Sequence, residues 1–117
     1  MDGYRVFLWG WVDRDHVVRA LGALRGFDTI DGPVGAVDVF GVRSGVLVEL
    51  AREGRNAVQV RFVDAGGPGD AWTQAHSFLW IATRRLPVDE ALLIGGPEPL
   101  HFCRGRIHPV GASEEQH

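Results

Sequence analysis

The chain has 117 residues, 45% of them hydrophobic and 23% charged, and a net charge of -3 at neutral pH. This length fits one domain, and this composition is that of ordinary globular proteins and excludes disordered or fibrous ones. The negative charge excludes a long-range electrostatic attraction to nucleic acid or to acidic membrane surfaces.

Residues 4–12 predict a first strand that is apolar on both sides, which is typical of the centre of a sheet. One set of alternate positions is aliphatic or small, and the other is aromatic: Val6, Leu8, Gly10 and Val12 against Phe7, Trp9 and Trp11. If the aliphatic set packs on helices, the aromatic set forms an exposed apolar patch typical of an interface. In the opposite arrangement the indoles point into the helix layer.

A first helix is predicted to follow, because apolar residues recur at helical spacing between residues 17 and 24 and Gly26 marks an end. Asp13 or Asp15 precedes this pattern, where a carboxylate accepts hydrogen bonds from the free N–H groups of the first turn. Both aspartates are therefore interpreted as caps and not as catalytic groups.

Residues 27–35 are rich in Gly, Asp and Pro, which predicts a loop. A three-strand meander is expected next, over residues 37–42, 46–52 and 57–64. In its last strand, apolar and polar residues alternate, so we expect this sheet to have one dry face and one partly wet face.

The Gly-rich stretch at residues 66–69 does not match a phosphate-binding loop, because the required Lys and Ser/Thr are missing. Asp70 is instead expected to cap a second helix over residues 71–86. Within that helix His76 lies four residues from both Trp72 and Trp80, so the three rings are expected to form a ridge. His76 either carries a proton or stacks on a planar ligand, or it is a satisfied residue at the edge of the core.

After Pro87 we expect a short turn over residues 88–94 and a final strand over residues 100–110. His101 and Cys103 share one side of this strand, and His108 follows closely. A structural zinc site normally has four ligands, often with paired cysteines, and the chain has one cysteine. We therefore expect no metal, no cofactor and no cysteine nucleophile, and Arg104 and Arg106 indicate nucleic-acid binding only weakly.

These elements predict an α+β fold in the order β-α-β-β-β-α-β. It has a mainly antiparallel sheet of about five strands and two helices on one face. Residues 1–111 are expected to form a single compact domain, and residues 112–117 a polar tail. The single cysteine and the absence of an apolar run of roughly 20 residues or of a leader-like start predict a cytoplasmic protein outside the membrane.

Two functions remain open. The favoured one is a non-catalytic interaction module, an inhibitor, immunity-type or adaptor protein of bacterial origin, that binds another protein or a second copy of itself as a homodimer through an aromatic edge. The alternative is a small-molecule-binding or cyclase-like protein. Its pocket would be lined by the four tryptophans, with His76 as proton carrier and Asp38 or Glu49 as acidic partner.

Overall fold

The computed structural model describes residues 3–24, 27–34, 37–42, 46–52, 57–64, 70–96 and 98–110. This part of the chain forms two helices and eight strands. In chain order they are β1 Tyr4–Gly10, α1 Arg14–Gly22, β2 Phe27–Val34, β3 Val37–Val42, β4 Val46–Arg52, β5 Ala57–Asp64, α2 Ala71–Arg85, β6 Val88–Ile94, β7 Leu100–Cys103 and β8 Arg106–Pro109.

All eight strands belong to one antiparallel sheet in the order β2-β3-β4-β5-β1-β6-β7-β8. The α+β class and the antiparallel sheet are confirmed, but the expected number of about five strands is too low for the described residues. Strand β1 lies between β5 and β6, in the interior of the sheet. The meander β2–β5 therefore lies on one side of β1 and the meander β6–β8 on the other.

The expected loop at residues 27–35 is largely a strand, β2, that pairs with β3. Gly32 and Pro33 gave the sequence the character of a loop. Proline is tolerated here because β2 is an edge strand, so its missing N–H leaves no interior ladder bond unmade. The pairing with β3 shifts register between Thr29 and Pro33.

The end of the chain also contains more strands than expected. Residues 88–94, expected as a turn, form β6, because Ala91 and Leu93 are buried and the strand pairs with β1 along its length. The single strand expected at residues 100–110 is the hairpin β7–β8. Its two-residue turn consists of Arg104 and Gly105, whose φ angles are 54° and 79°, and two positive φ values are typical of a tight hairpin turn.

The helices pack on one face of the sheet. Helix α2 contacts β1, β4, β5 and β6, and α1 contacts α2 and β2. Phe78 of α2 packs against Phe62 of β5 with ring centroids 5.6 Å apart, and both side chains are fully buried. Val6, Leu8 and Val12 are also buried, so the aliphatic set of the first segment faces the helices.

Both helices begin at aspartates, as predicted. Asp13 accepts a hydrogen bond from the backbone N–H of His16 at 2.9 Å, and His16 Nδ1 accepts one from the backbone N–H of Asp13. Asp70 accepts from Trp72 N at 3.2 Å, and Asp64 accepts from Ala71 N at 2.9 Å. Two carboxylates thus pair with N–H groups at the start of α2.

Residues 65–69 and the expected polar tail at 112–117 lie outside the described residues. Within the described part, neither helix combines the length and the apolar character that a membrane span requires.

Candidate functional site

The face of the sheet turned away from the helices is here called the open face. It carries the alternate side chains of the central strands, and no helix of the described residues covers it. On β5 these side chains are Ala57, Gln59, Arg61 and Val63, on β1 they are Arg5, Phe7 and Trp9, and on β6 they are Glu90, Leu92 and Ile94. Glu90 is exposed, and the others are half-buried.

The centre of the open face is aromatic. Phe7 and Trp9 stack with ring centroids 5.9 Å apart and an interplanar angle of 17°. Phe7 has Leu92 of β6 as its direct neighbour, and Trp9 has Ala57 of β5. Because β1 is paired on both sides, this aromatic pair lies in the middle of a sheet face and not at a sheet edge.

Trp11 does not continue the stack. The pairing of β1 with β6 shifts register between Trp9 and Gly10, and the strand ends at Gly10, whose φ is 139°. The backbone N–H of Trp11 donates to the Pro87 carbonyl oxygen at 3.1 Å, and the Trp11 side chain is 78% exposed. The three aromatic residues predicted to act together are therefore divided into a stacked pair and a separate exposed indole.

Charged groups flank the aromatic pair at opposite ends of the open face. At one end Arg61 donates to Glu49 Oε1 at 3.0 Å, and Arg5 is the direct neighbour of Arg61. The Nε of Arg5 is buried and has no hydrogen-bond partner in the described part of the chain. At the other end Glu90 lies beside Trp9, so the face has a basic end and an acidic end.

The predicted ridge of rings on α2 is confirmed. His76 lies 5.9 Å from Trp72 and 6.3 Å from Trp80, measured between ring centroids. Trp72 is half-buried and packs against Tyr4 at 5.4 Å, whereas Trp80 is 39% exposed and lies under the Arg84 guanidinium at 5.0 Å. The ridge thus runs from the edge of the core to the surface, on the helix side of the sheet.

The tryptophans do not surround a common pocket in the described residues. Trp9 lies on the open face, whereas Trp72 and Trp80 belong to α2 on the other side of the sheet. Glu49 is bonded to Arg61 on the open face, and the side chain of Asp38 lies outside the described part. A surface depression beside Trp80 is lined by Trp80, Thr83, Arg84, Phe102, Gly105 and Ile107.

The sequence reasoning missed the contributions of Arg5 and β6 to the open face. Leu92 and Ile94 lie in the segment expected to be a turn, and in the structure they alternate with the buried Ala91 and Leu93. The signal in the sequence is the continuous apolar run at residues 91–94, which is also typical of a buried strand, but the proline before it favours a turn.

Comparison of the chain with protein-family models, with curated proteins and with solved structures found no match to any of them. The interpretation of the open face therefore rests on its own geometry and chemistry.

Proposed function

We propose that this protein is a non-catalytic interaction module that pairs with a second copy of itself, open face against open face. The proposal rests on the stacked Phe7–Trp9 pair at the centre of the open face, which no helix of the described residues covers. Aromatic side chains at the centre of a patch are the usual anchors of protein interfaces. Two antiparallel sheets also pack well face to face, with their side chains interlocked.

The size of the open face supports this pairing. The strands β4, β5, β1, β6 and β7 are neighbours, and at a spacing of about 4.8 Å they are about 24 Å wide. About six residues per strand, at about 3.3 Å each, give a length of about 20 Å. The footprint is on the order of 500 Å² before side-chain relief is added, close to the roughly 600 Å² per partner at which stable interfaces begin.

The charges of the open face favour a second copy over an unrelated protein. In such a dimer, a two-fold axis can lie between the two sheets, perpendicular to the strands at the level of Phe7. It places the basic end of one copy over the acidic end of the other. Arg5 of one copy then faces Trp9 of the other, next to Glu90 of that copy, because Trp9 and Glu90 are direct neighbours. A guanidinium over an indole and beside a carboxylate gains both cation–π and ionic attraction.

Size-exclusion chromatography with light scattering tests the proposal on the full chain. We expect the native chain to be a dimer that dissociates on dilution, and Trp9→Ala to be a folded monomer by circular dichroism. Trp11→Ala is the matched control, because it removes the same side chain outside the open face and should leave the dimer intact. Arg5→Glu should also dissociate the dimer, whereas Arg84→Glu on α2 should not.

A native chain that stays monomeric at every concentration would overturn self-association. A dimer that Trp9→Ala and Arg5→Glu leave unchanged would overturn the assignment to the open face.

A further inference from the structure

The hairpin β7–β8 brings together three side chains that are separated in the sequence. His101 and His108 are direct neighbours across the two strands, and Cys103 lies two residues from His101 on β7. Residues two apart on a strand point to the same side, so all three side chains share one face of the hairpin. The two-residue turn at Arg104 and Gly105 fixes this register.

The three side chains converge on a point. One potential ligand atom of each, an imidazole nitrogen of His101 and of His108 and the Sγ of Cys103, lies within 4.8 Å of the others. The two imidazole rings are 5.4 Å apart and nearly perpendicular, at 69°. All three residues are half-buried. His101 and Cys103 are direct neighbours of Leu92 and Glu90, so the cluster lies on the outer strands of the open face, and an ion from solution can reach it in the monomer.

The donor set is that of a borderline-soft transition metal. Zinc takes thiolate and imidazole ligands at about 2.3 and 2.0–2.1 Å in a tetrahedral arrangement, which places neighbouring ligand atoms about 3.3–3.6 Å apart. From its 4.8 Å limit the cluster needs to contract by up to about 1.2–1.5 Å to reach these separations, which side-chain rotations can supply. A hard cation such as magnesium prefers oxygen ligands and is not favoured here.

Glu90 of β6 supports the cluster from the side. Its Oε2 lies 2.6 Å from His101 Nε2, and Glu90 and Cys103 are direct neighbours across β6 and β7. A carboxylate that accepts a hydrogen bond from one imidazole nitrogen directs the other nitrogen toward a metal and increases its basicity. Such carboxylate–histidine pairs are a common feature of metal sites.

We infer that His101, Cys103 and His108 bind one Zn²⁺ ion per chain, with Glu90 orienting His101. The expectation of no metal was based on the four ligands of a structural zinc site. Three protein ligands are instead typical of a site whose fourth position is open to water or to an added ligand. The hairpin register, which is not readable from the sequence, is what places His108 beside the other two ligands.

Metal titration of the full chain tests the site. Zn²⁺ is titrated into metal-free protein against a chromophoric chelator, and Co²⁺ is used as a spectroscopic substitute. We expect one Zn²⁺ per chain, and a Co²⁺ complex with a thiolate-to-metal charge-transfer band and the intense visible bands of tetrahedral cobalt. Cys103→Ser should abolish the charge-transfer band, and His108→Ala should weaken binding by at least about tenfold.

His76→Ala is the matched control, since it removes a histidine of α2 and should change nothing. Glu90→Gln should weaken binding by about 10- to 100-fold while keeping the cobalt spectrum, as an orienting residue would. The same titration of Trp9→Ala separates this site from the dimer, because the monomer should still bind one ion.

Alkylation of Cys103 in the native chain, diluted until it is monomeric, avoids any dependence on the folding of the variants. Bound Zn²⁺ should slow the reaction of the thiol with iodoacetamide. The inference is overturned if no saturable binding of one ion per chain is found, if Cys103→Ser and His108→Ala bind as the native chain does, or if Zn²⁺ leaves the alkylation rate unchanged.

Discussion

Gly10 ends β1 at a place where no other residue fits. Its φ is 139°, and a methyl group at this position would lie 2.5 Å from the Pro87 carbonyl oxygen. A residue with a side chain would be strained at this φ angle, and its Cβ would collide with backbone atoms that have little freedom to move. The close approach of β1 to the start of β6 therefore depends on glycine.

We expect Gly10→Ala to lower the free energy of unfolding by about 1–3 kcal/mol, which is the usual cost of such a backbone conformation in a residue with a side chain. Gly22→Ala is the control, because a methyl group at the end of α1 meets nothing within 4 Å. It should be neutral or stabilising by up to about 1 kcal/mol. Urea unfolding of both variants makes the comparison, and equal stabilities would contradict the role of Gly10.

Helix α1 depends on the charge of its capping residue. The hydrogen bond from the His16 backbone N–H holds the pKa of Asp13 below its usual value of 3.8. A carboxyl group whose pKa is lowered on folding contributes stability above its unfolded pKa and loses it as the pH falls through its folded pKa. The contribution of Asp13 is therefore complete above about pH 4 and disappears in more acidic solution.

The test compares the melting temperatures of the native chain and Asp13→Asn from pH 7 to pH 2. Asparagine caps a helix without titrating. We expect the native chain to lose stability relative to the variant only as the pH falls below about 4. A constant difference across the range would show that the ionisation of Asp13 contributes nothing.

At the scale of elements, the sequence predicted those whose pattern is strong and local. Val58, Val60 and Phe62 alternate clearly, and β5 was predicted with its correct bounds. The helices were readable from their spacing and their caps. In β2 the local preference of Pro33 for a loop is outweighed by the favourable free energy of pairing with β3. That pairing energy depends on residues elsewhere in the chain and cannot be read from the local sequence.

The candidate site was predictable to the same degree. The aromatic positions of β1 are visible in the sequence, which leaves open which set faces the helices; the buried Val6 and Leu8 show that it is the aliphatic one. Separating Trp11 from Phe7 and Trp9 required the register shift at the end of β1. The neighbours of the aromatic pair on β5 and β6 depend on strand order, which arises from contacts between distant parts of the chain.

For the whole molecule, the proposed pairing of open faces links stability to concentration. A dimer that buries the Phe7–Trp9 pair is stabilised by mass action, so its melting temperature rises with protein concentration. We expect this increase for the native chain and for Trp11→Ala, and a constant melting temperature for Trp9→Ala. Differential scanning calorimetry over a hundredfold range of concentration measures it, and a native melting temperature independent of concentration would contradict the dimer.

The position of β1 also determines when the molecule can be completed during its synthesis. Leu8 pairs with Val58 and with Ala91, which are added to the growing chain 50 and 83 residues later. In the described sheet the meanders β2–β5 and β6–β8 are joined only through β1, and each consists of strands consecutive in the chain. The two halves can therefore form from local hairpins, whereas β1, which precedes both in the chain, can pair with β5 first and joins the second meander only after β6 has followed it.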